Sequence, residues 1–298
     1  MLEPDKSQNT KFDDINLSTE EITQLVEQLK DRRRKGAKPI EDEDTINLMI
    51  AGLRDKRGLI RRTFAQSLGL TGKAATPGLI EVLINSKSVT ARRAAAKTLK
   101  LVRDPASLPY LLEALLNDTD PVVQGSSAGA MAVFGDAAIE YLLQALSSPN
   151  SSSMQCGLAS WALVLAGADS PKRLTKAASS DNATIRTAAI GALCSKKQSL
   201  KDTNIRSLLI NALDDASCEV RAEAIRIIIN LEEQNLVESL LIKKLKDKDV
   251  EARKNAVISL MTINSKKALK QLKEIARSEK EKSVIQVLNL AIKKIMNN

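Results

Sequence analysis

Few side chains in this sequence could cooperate in covalent chemistry. Cys156, Cys194 and Cys218 could each supply a thiolate, but they lie 38 and 24 residues apart and form no C-x-x-C pair. They read as reduced thiols rather than a disulfide framework. No basic residue neighbours Cys156 in sequence to depress its pKa. Histidine is absent, so acid/base work near neutral pH would need a strongly shifted carboxyl, thiol or amine. Glycine-rich phosphate loops, paired catalytic carboxylates and Cys/His metal spacings are also missing. No catalytic residue, metal or resident cofactor is assigned. What remains is binding chemistry: guanidinium and ammonium groups that pair with anions, and small residues that let a partner approach.

The elements that would position those groups come from an internal repeat. One nine-residue pattern (apolar, Arg, any, any, small, small, any, small, apolar) begins at Ile60, Ala91, Val123, Met154, Ile185, Val220, Ala252 and Val284. The intervals run from 31 to 35 residues, the mark of stacked supersecondary units. At about 100° per residue the first, fifth, eighth and ninth positions share a face, as in an amphipathic helix. Leucines spaced three or four apart, such as Leu111-Leu112-Leu115-Leu116, place a second helix before each copy. Pro77, Pro109 and Pro171 suit the starts of these helices, where a missing N–H costs nothing. Acidic turns such as Asn117–Asp120 and Asp247–Asp249 suit the starts of those that follow.

A pair of roughly ten-residue helices cannot bury its own apolar stripe, so the pairs must stack. The fold expected is an all-α solenoid, a superhelix of about eight helix pairs over residues 44–298. Before it come a disordered tail at 1–17 and a capping helix with charged linker at 18–43. Only six aromatics serve the whole chain, which suits close contacts between Ala, Val, Ile and Leu. No apolar stretch reaches the roughly 18 residues of a membrane span, and residues 1–10 carry no apolar signal core.

With the first pattern residue as zero, positions two and six lie opposite the buried stripe. They read Arg62/Gln66, Arg93/Lys97, Gly125/Gly129, Cys156/Ser160, Thr187/Gly191, Ala222/Arg226, Lys254/Ile258 and Gln286/Leu290. The track is basic, then small and uncharged, then partly basic again. The net charge of +9 favours acidic partners in general, yet residues 104–170 hold no Lys or Arg against seven acids. Tyr110, Phe134, Tyr141 and Trp161 fall in that acidic middle, either as core or as exposed anchors. Position one is Arg in most copies, a tie to neighbouring turns. Gln124 and Gln155 replace it where the track is smallest, marking altered packing or a polar contact to a partner. The run Arg32–Lys35 reads as a solvated linker balanced by Glu41–Asp44, and with no stacking aromatics nearby nucleic acid is not the expected partner.

The spacing and the V-R-x-x-A-A-x-A-L core resemble HEAT repeats in their short form, over about 85% of the chain. Within that superfamily, Arg92–Lys97 (Arg-Arg-Ala-Ala-Ala-Lys) and Ile185–Ile190 (Ile-Arg-Thr-Ala-Ala-Ile) resemble the HEAT-like phycobilin lyases. Those proteins include paired subunits that attach linear tetrapyrroles to phycobiliprotein cysteines, and relatives implicated in phycobilisome breakdown. The resemblance implies a bilin as ligand and a protein partner, either a phycobiliprotein subunit or a second lyase-like subunit. Catalysis would be by positioning, in the cytoplasm. Arg62, Arg93 and Lys97 would pair the bilin propionates. Gln124, Gly125, Gly129, Gln155, Cys156 and Ser160 would line the rest of the groove. The other reading is a non-catalytic HEAT scaffold for protein–protein assembly, since fold alone does not set function.

Overall fold

The computed structural model describes residues 10–167 and 170–297. The described residues form α-helices joined by turns and short 3₁₀ segments, with no strand. The helices are α1 (Thr19–Arg34), α2 (Glu43–Ala51), α3 (Gly58–Thr71), α4 (Thr76–Asn85), α5 (Val89–Val102), α6 (Leu108–Asn117), α7 (Pro121–Met131), α8 (Asp136–Ser147) and α9 (Ser153–Ala166). They continue as α10 (Pro171–Ala177), α11 (Ala183–Leu193), α12 (Thr203–Ala212), α13 (Cys218–Ile227), α14 (Gln234–Lys244), α15 (Val250–Thr262), α16 (Leu269–Ser278) and α17 (Lys282–Asn297). The chain divides into two compact units, Met1–Asp169 and Ser170–Asn298. Each holds four of the eight expected pairs.

In the first unit the second helices α3, α5, α7 and α9 pack side by side, and the first helices α4, α6 and α8 form a layer against them. The sequence explains the closeness. α5 buries Ala91, Ala95, Ala96, Thr98 and Leu99, a stripe with little bulk, and starts at Ser88, whose hydroxyl accepts from Ala91 N–H. A Cβ on Gly69 would lie 2.9 Å from Leu101 Cβ, so α3 has room for α5 there only as glycine. A Cβ on Gly52 would fall 2.3 Å from the buried Phe64 ring. The first helices bring the larger leucines: Leu111, Leu115 and Leu142 are fully buried, each stabilising by about 1.5–3 kcal/mol relative to exposure. In the second unit, α11, α13, α15 and α17 repeat the side-by-side contact.

Side chains at the turns join successive pairs. Arg92 donates to Ser86 O at 2.9 Å in its own turn and to Asp118 Oδ2 at 2.7 Å in the next. Arg221 bonds Asp215 O and Asp247, and Arg253 bonds Asp247 O and Glu279, in the same manner. The tie expected at position one is this ladder. Asp120 and Asp249 cap α7 and α15 through their carboxylates, as the acidic turns suggested.

The chain before α1 differs from expectation. Residues 1–9 lie outside the described residues, but no disordered tail runs over residues 10–17. Phe12 is buried against Ile50 and Gly78, and the Asp13 carboxylate accepts from Ser86 Oγ at 2.8 Å and Lys87 N–H at 3.2 Å. An apolar ring with a matching hole and a carboxylate with two donors are enough to hold this segment down. α1 opens with a capping box between Ser18 and Glu21, buries Val26 and Leu29 and packs on α3.

Candidate functional site

The second helices of the first unit lie side by side. The Cβ position of Gly125 lies 3.7 Å from Leu158, and that of Gly129 lies 3.5 Å from the Trp161 ring. These contacts pair position two of α7 with position four of α9, and position six with position seven, because the pattern slips by one residue on α9: Met154, the expected first buried residue, is 49% exposed, while Gln155, Ala159, Ala162 and Leu163 are buried. Arg62, Lys97, Gly125 and Gly129 keep positions two and six of the pattern, but the slip moves Cys156 and Ser160 off that track toward the buried side of α9. Arg62 and Lys97 are exposed; the other four are half-buried. α3, α5, α7 and α9 contain no Asp or Glu at all, and Arg62 and Lys97 make no ion pair among the described residues. Two cations at one end of an acid-free face leave a positive potential for an anion.

Three of the expected groove residues do other work. Arg93 is a cation of this face but not a free one: its guanidinium forms a two-point pair with Asp120, at 2.9 and 2.7 Å. That pair holds the Asp120 carboxyl at a pKa of about 2, against an ordinary 3.8. Gln124 and Gln155 are buried, 8% and 7% exposed, and cannot touch a partner. Gln124 Nε2 donates to Asp118 O at 2.7 Å, and Gln155 Nε2 donates to Leu115 O and Leu116 O. Gln124 takes the carbonyl six residues back in its own turn, as Arg92 takes Ser86 O, whereas Gln155 reaches back to carbonyls at the end of α6 in the preceding pair. The next turn, Ser148–Asn150, offers Gln124 no carboxylate.

The aromatics separate into two kinds. Tyr110 on α6 is 40% exposed and Trp161 on α9 is 49% exposed, while Phe134 and Tyr141 are half-buried. Of these four, only Trp161 lies on a second helix, its ring over the space left by Gly129, with Met154 also exposed on α9 and Leu101 exposed on α5. A flat apolar ring beside a glycine floor is a surface on which a conjugated molecule stacks. Its position falls just outside the two-and-six track. The acid-free run of second helices is visible in the sequence as five consecutive repeats without a carboxylate, α11 of the second unit being the fifth.

The cysteines differ in access. Cys194 is buried, and desolvation with the nearby Glu223 pushes its thiol up to about 12. Cys218 opens α13, where a hydrogen bond to Glu219 raises its pKa. Cys156 is half-buried on α9. No cluster of possible metal ligands occurs among the described residues, and no helix there is long and apolar enough to cross a membrane.

A repeated helix pair and an arginine ladder mark a HEAT-repeat protein, and the HEAT-repeat family model matches residues 76–159 and 206–293. The chain belongs to that family and, within it, to the family of the bilin biosynthesis protein MpeU of Synechococcus sp. (strain WH8020). It is 41% identical to MpeU over 293 residues, covering 97% of this chain and 99% of MpeU. An uncharacterized phycocyanin operon protein Z of Pseudanabaena tenuis (strain PCC 7409) is 32% identical over 124 residues, 39% of this chain and 61% of that protein. Solved structures align more loosely. The CpcE–CpcF complex of phycocyanin lyase from Nostoc sp. PCC7120 gives a TM-score of 0.32 at 22% identity, covering 62% of this chain and 98% of that one. Designed armadillo repeat proteins for modular peptide recognition give 0.37 at 20%, covering 74% and 99%.

Proposed function

We propose that the second-helix face of the first unit holds a bilin, a linear tetrapyrrole with two propionates, for attachment to a cysteine of a phycobiliprotein. The observation that carries this reading is the polarity of that face: Arg62 and Lys97 without acids at one end, and the half-exposed Trp161 ring over Gly129 at the other. Full-length similarity to a bilin biosynthesis protein supports it. The acceptor supplies the thiol, which adds across a ligand double bond, so no oxidant or leaving group is needed. This chain holds the ligand and acceptor in register, and orientation alone lowers the barrier by reducing a bimolecular step to a local one. The absence of histidine is no obstacle to such work. A phycobiliprotein subunit or a second lyase-like subunit is the protein partner on this reading, in the cytoplasm, and removal of the chromophore would use the same grip.

Phycocyanobilin mixed with the purified protein should change its visible absorbance. The Arg62→Glu, Lys97→Glu double variant should weaken the interaction by roughly tenfold or more, because both charges are reversed. No spectral change, with or without an acceptor subunit, would remove the bilin from the function.

A further inference from the structure

We infer that the capping helix is part of the ligand site, with Arg33 positioning one carboxylate of the bound molecule; this rests on the bilin reading above. α1 lies against α3, where no repeat precedes. Its basic end does not behave as one solvated run. Arg32 Nη2 donates to Lys38 O at 3.0 Å and closes the helix end, and Lys35 pairs with Asp31 at 2.6 Å. Asp42 is spent on capping α2 through Thr45 N–H, and no ion pair links Glu41–Asp44 to the run among the described residues. Arg33 alone crosses to the second-helix face, where Nη1 donates to Gln66 Oε1.

Gln66 occupies position six of α3, one helical turn from Arg62 on the same stripe, a Cβ separation of about 6 Å. Arg33 is thus held at an amide one turn along the stripe from Arg62, and neither arginine has a carboxylate partner among the described residues. α3 supplies none, since residues 58–71 contain no acid. Holding α1 in place does not require this arrangement, because Val26 and Leu29 already bury its apolar stripe. Two uncompensated guanidinium groups on neighbouring turns favour an anion between them, and each offers a carboxylate two-point hydrogen bonding. Arg93 cannot take this part, being committed to Asp120. From α3 to α7 is two helix spacings, on the order of 20 Å. An extended tetrapyrrole with a carboxylate at Arg33 and Arg62 can therefore lay its conjugated rings toward Gly129 and Trp161.

Biliverdin and its dimethyl ester, which lacks both charges, separate the alternatives when titrated against full-length protein and followed by visible difference spectra. Wild-type protein should bind the free acid more tightly than the ester. Arg33→Glu should weaken the free acid by about tenfold and leave the ester unchanged, with Arg33→Lys intermediate. Lys73→Glu, the same charge change on the turn after α3, should alter neither, and unchanged thermal melting shows that each variant is folded. If Arg33→Glu does not fold, Arg33→Gln replaces it, with a smaller loss expected for the acid alone. Equal loss of acid and ester in the Arg33 variants would overturn the assignment, because α1 would then act only as a structural cap. Undiminished binding of the acid by Arg33→Glu, with Arg62→Glu weakened, would overturn it while sparing the bilin reading. Binding of neither probe by wild-type protein would overturn both.

Discussion

The same helix pair is used to different ends in the two units. In the first, α3, α5, α7 and α9 carry no carboxylate, and cations at positions two and six stay open to solvent unless a turn claims them. In the second, α13 and α15 carry their own acids: Arg226 pairs with Glu223, and Lys254 pairs with Glu251 at 2.9 Å. A cation neutralised within its own helix offers little to an external anion. A repeat therefore becomes a binding repeat less by adding charge than by losing the counter-charge.

The units also differ in how their pairs are joined. Arg221 and Asp247 form a buried pair, with side chains 4% and 5% exposed, whereas Gln124 reaches only a carbonyl. Arg221→Ala leaves a buried carboxylate unpaired and should cost about 3–5 kcal/mol in denaturant unfolding. Gln124→Ala should cost about 1–2 kcal/mol. Equal losses would break the distinction between charged and neutral rungs. Next in size, Trp161→Ala should weaken bilin binding by about five- to tenfold, through loss of stacking, with little change in melting temperature because the ring is half exposed. A variant that binds like wild type would move the ligand away from α9. The smallest effect concerns acid. The Asp120 carboxyl is held at about 2 by Arg93, below its unfolded value, so its contribution is present above about pH 4 and fades as pH falls toward 2. In Asp120→Asn, the slope of stability against pH in that window should flatten relative to wild type. An unchanged slope would show that Arg93 does not hold this acid in solution.

Much of this fold was legible because the repeat states it eight times. Helix starts, capping acids and the arginine at position one follow from a pattern whose copies check one another. Exposure was legible where angle alone decides, as at Arg62 and Lys97. Angle misled where the deciding neighbour sits one repeat away. The partner of Arg93 lies 27 residues on, and the carbonyls that bury Gln155 lie 39 and 40 residues back. Trp161 is exposed because Gly129 makes room beneath it, a fact of two helices. Arg33 reaches the face only because α1 docks where a ninth pair would stand.

The arginine ladder also acts as a ruler. Each full rung grips a carbonyl of its own turn and a carboxylate of the following turn, so the distance between neighbouring pairs is fixed by the length of one side chain. At Gln124 the forward half of the rung is gone. Gln155 on α9 ties back instead, donating to Leu115 O and Leu116 O at the end of α6, so this joint is held by neutral hydrogen bonds and apolar contact, which fix a distance less firmly than a two-point ion pair does. The glycine floor and its tryptophan lie across this joint, where no ion pair has to break for the first unit to widen its face.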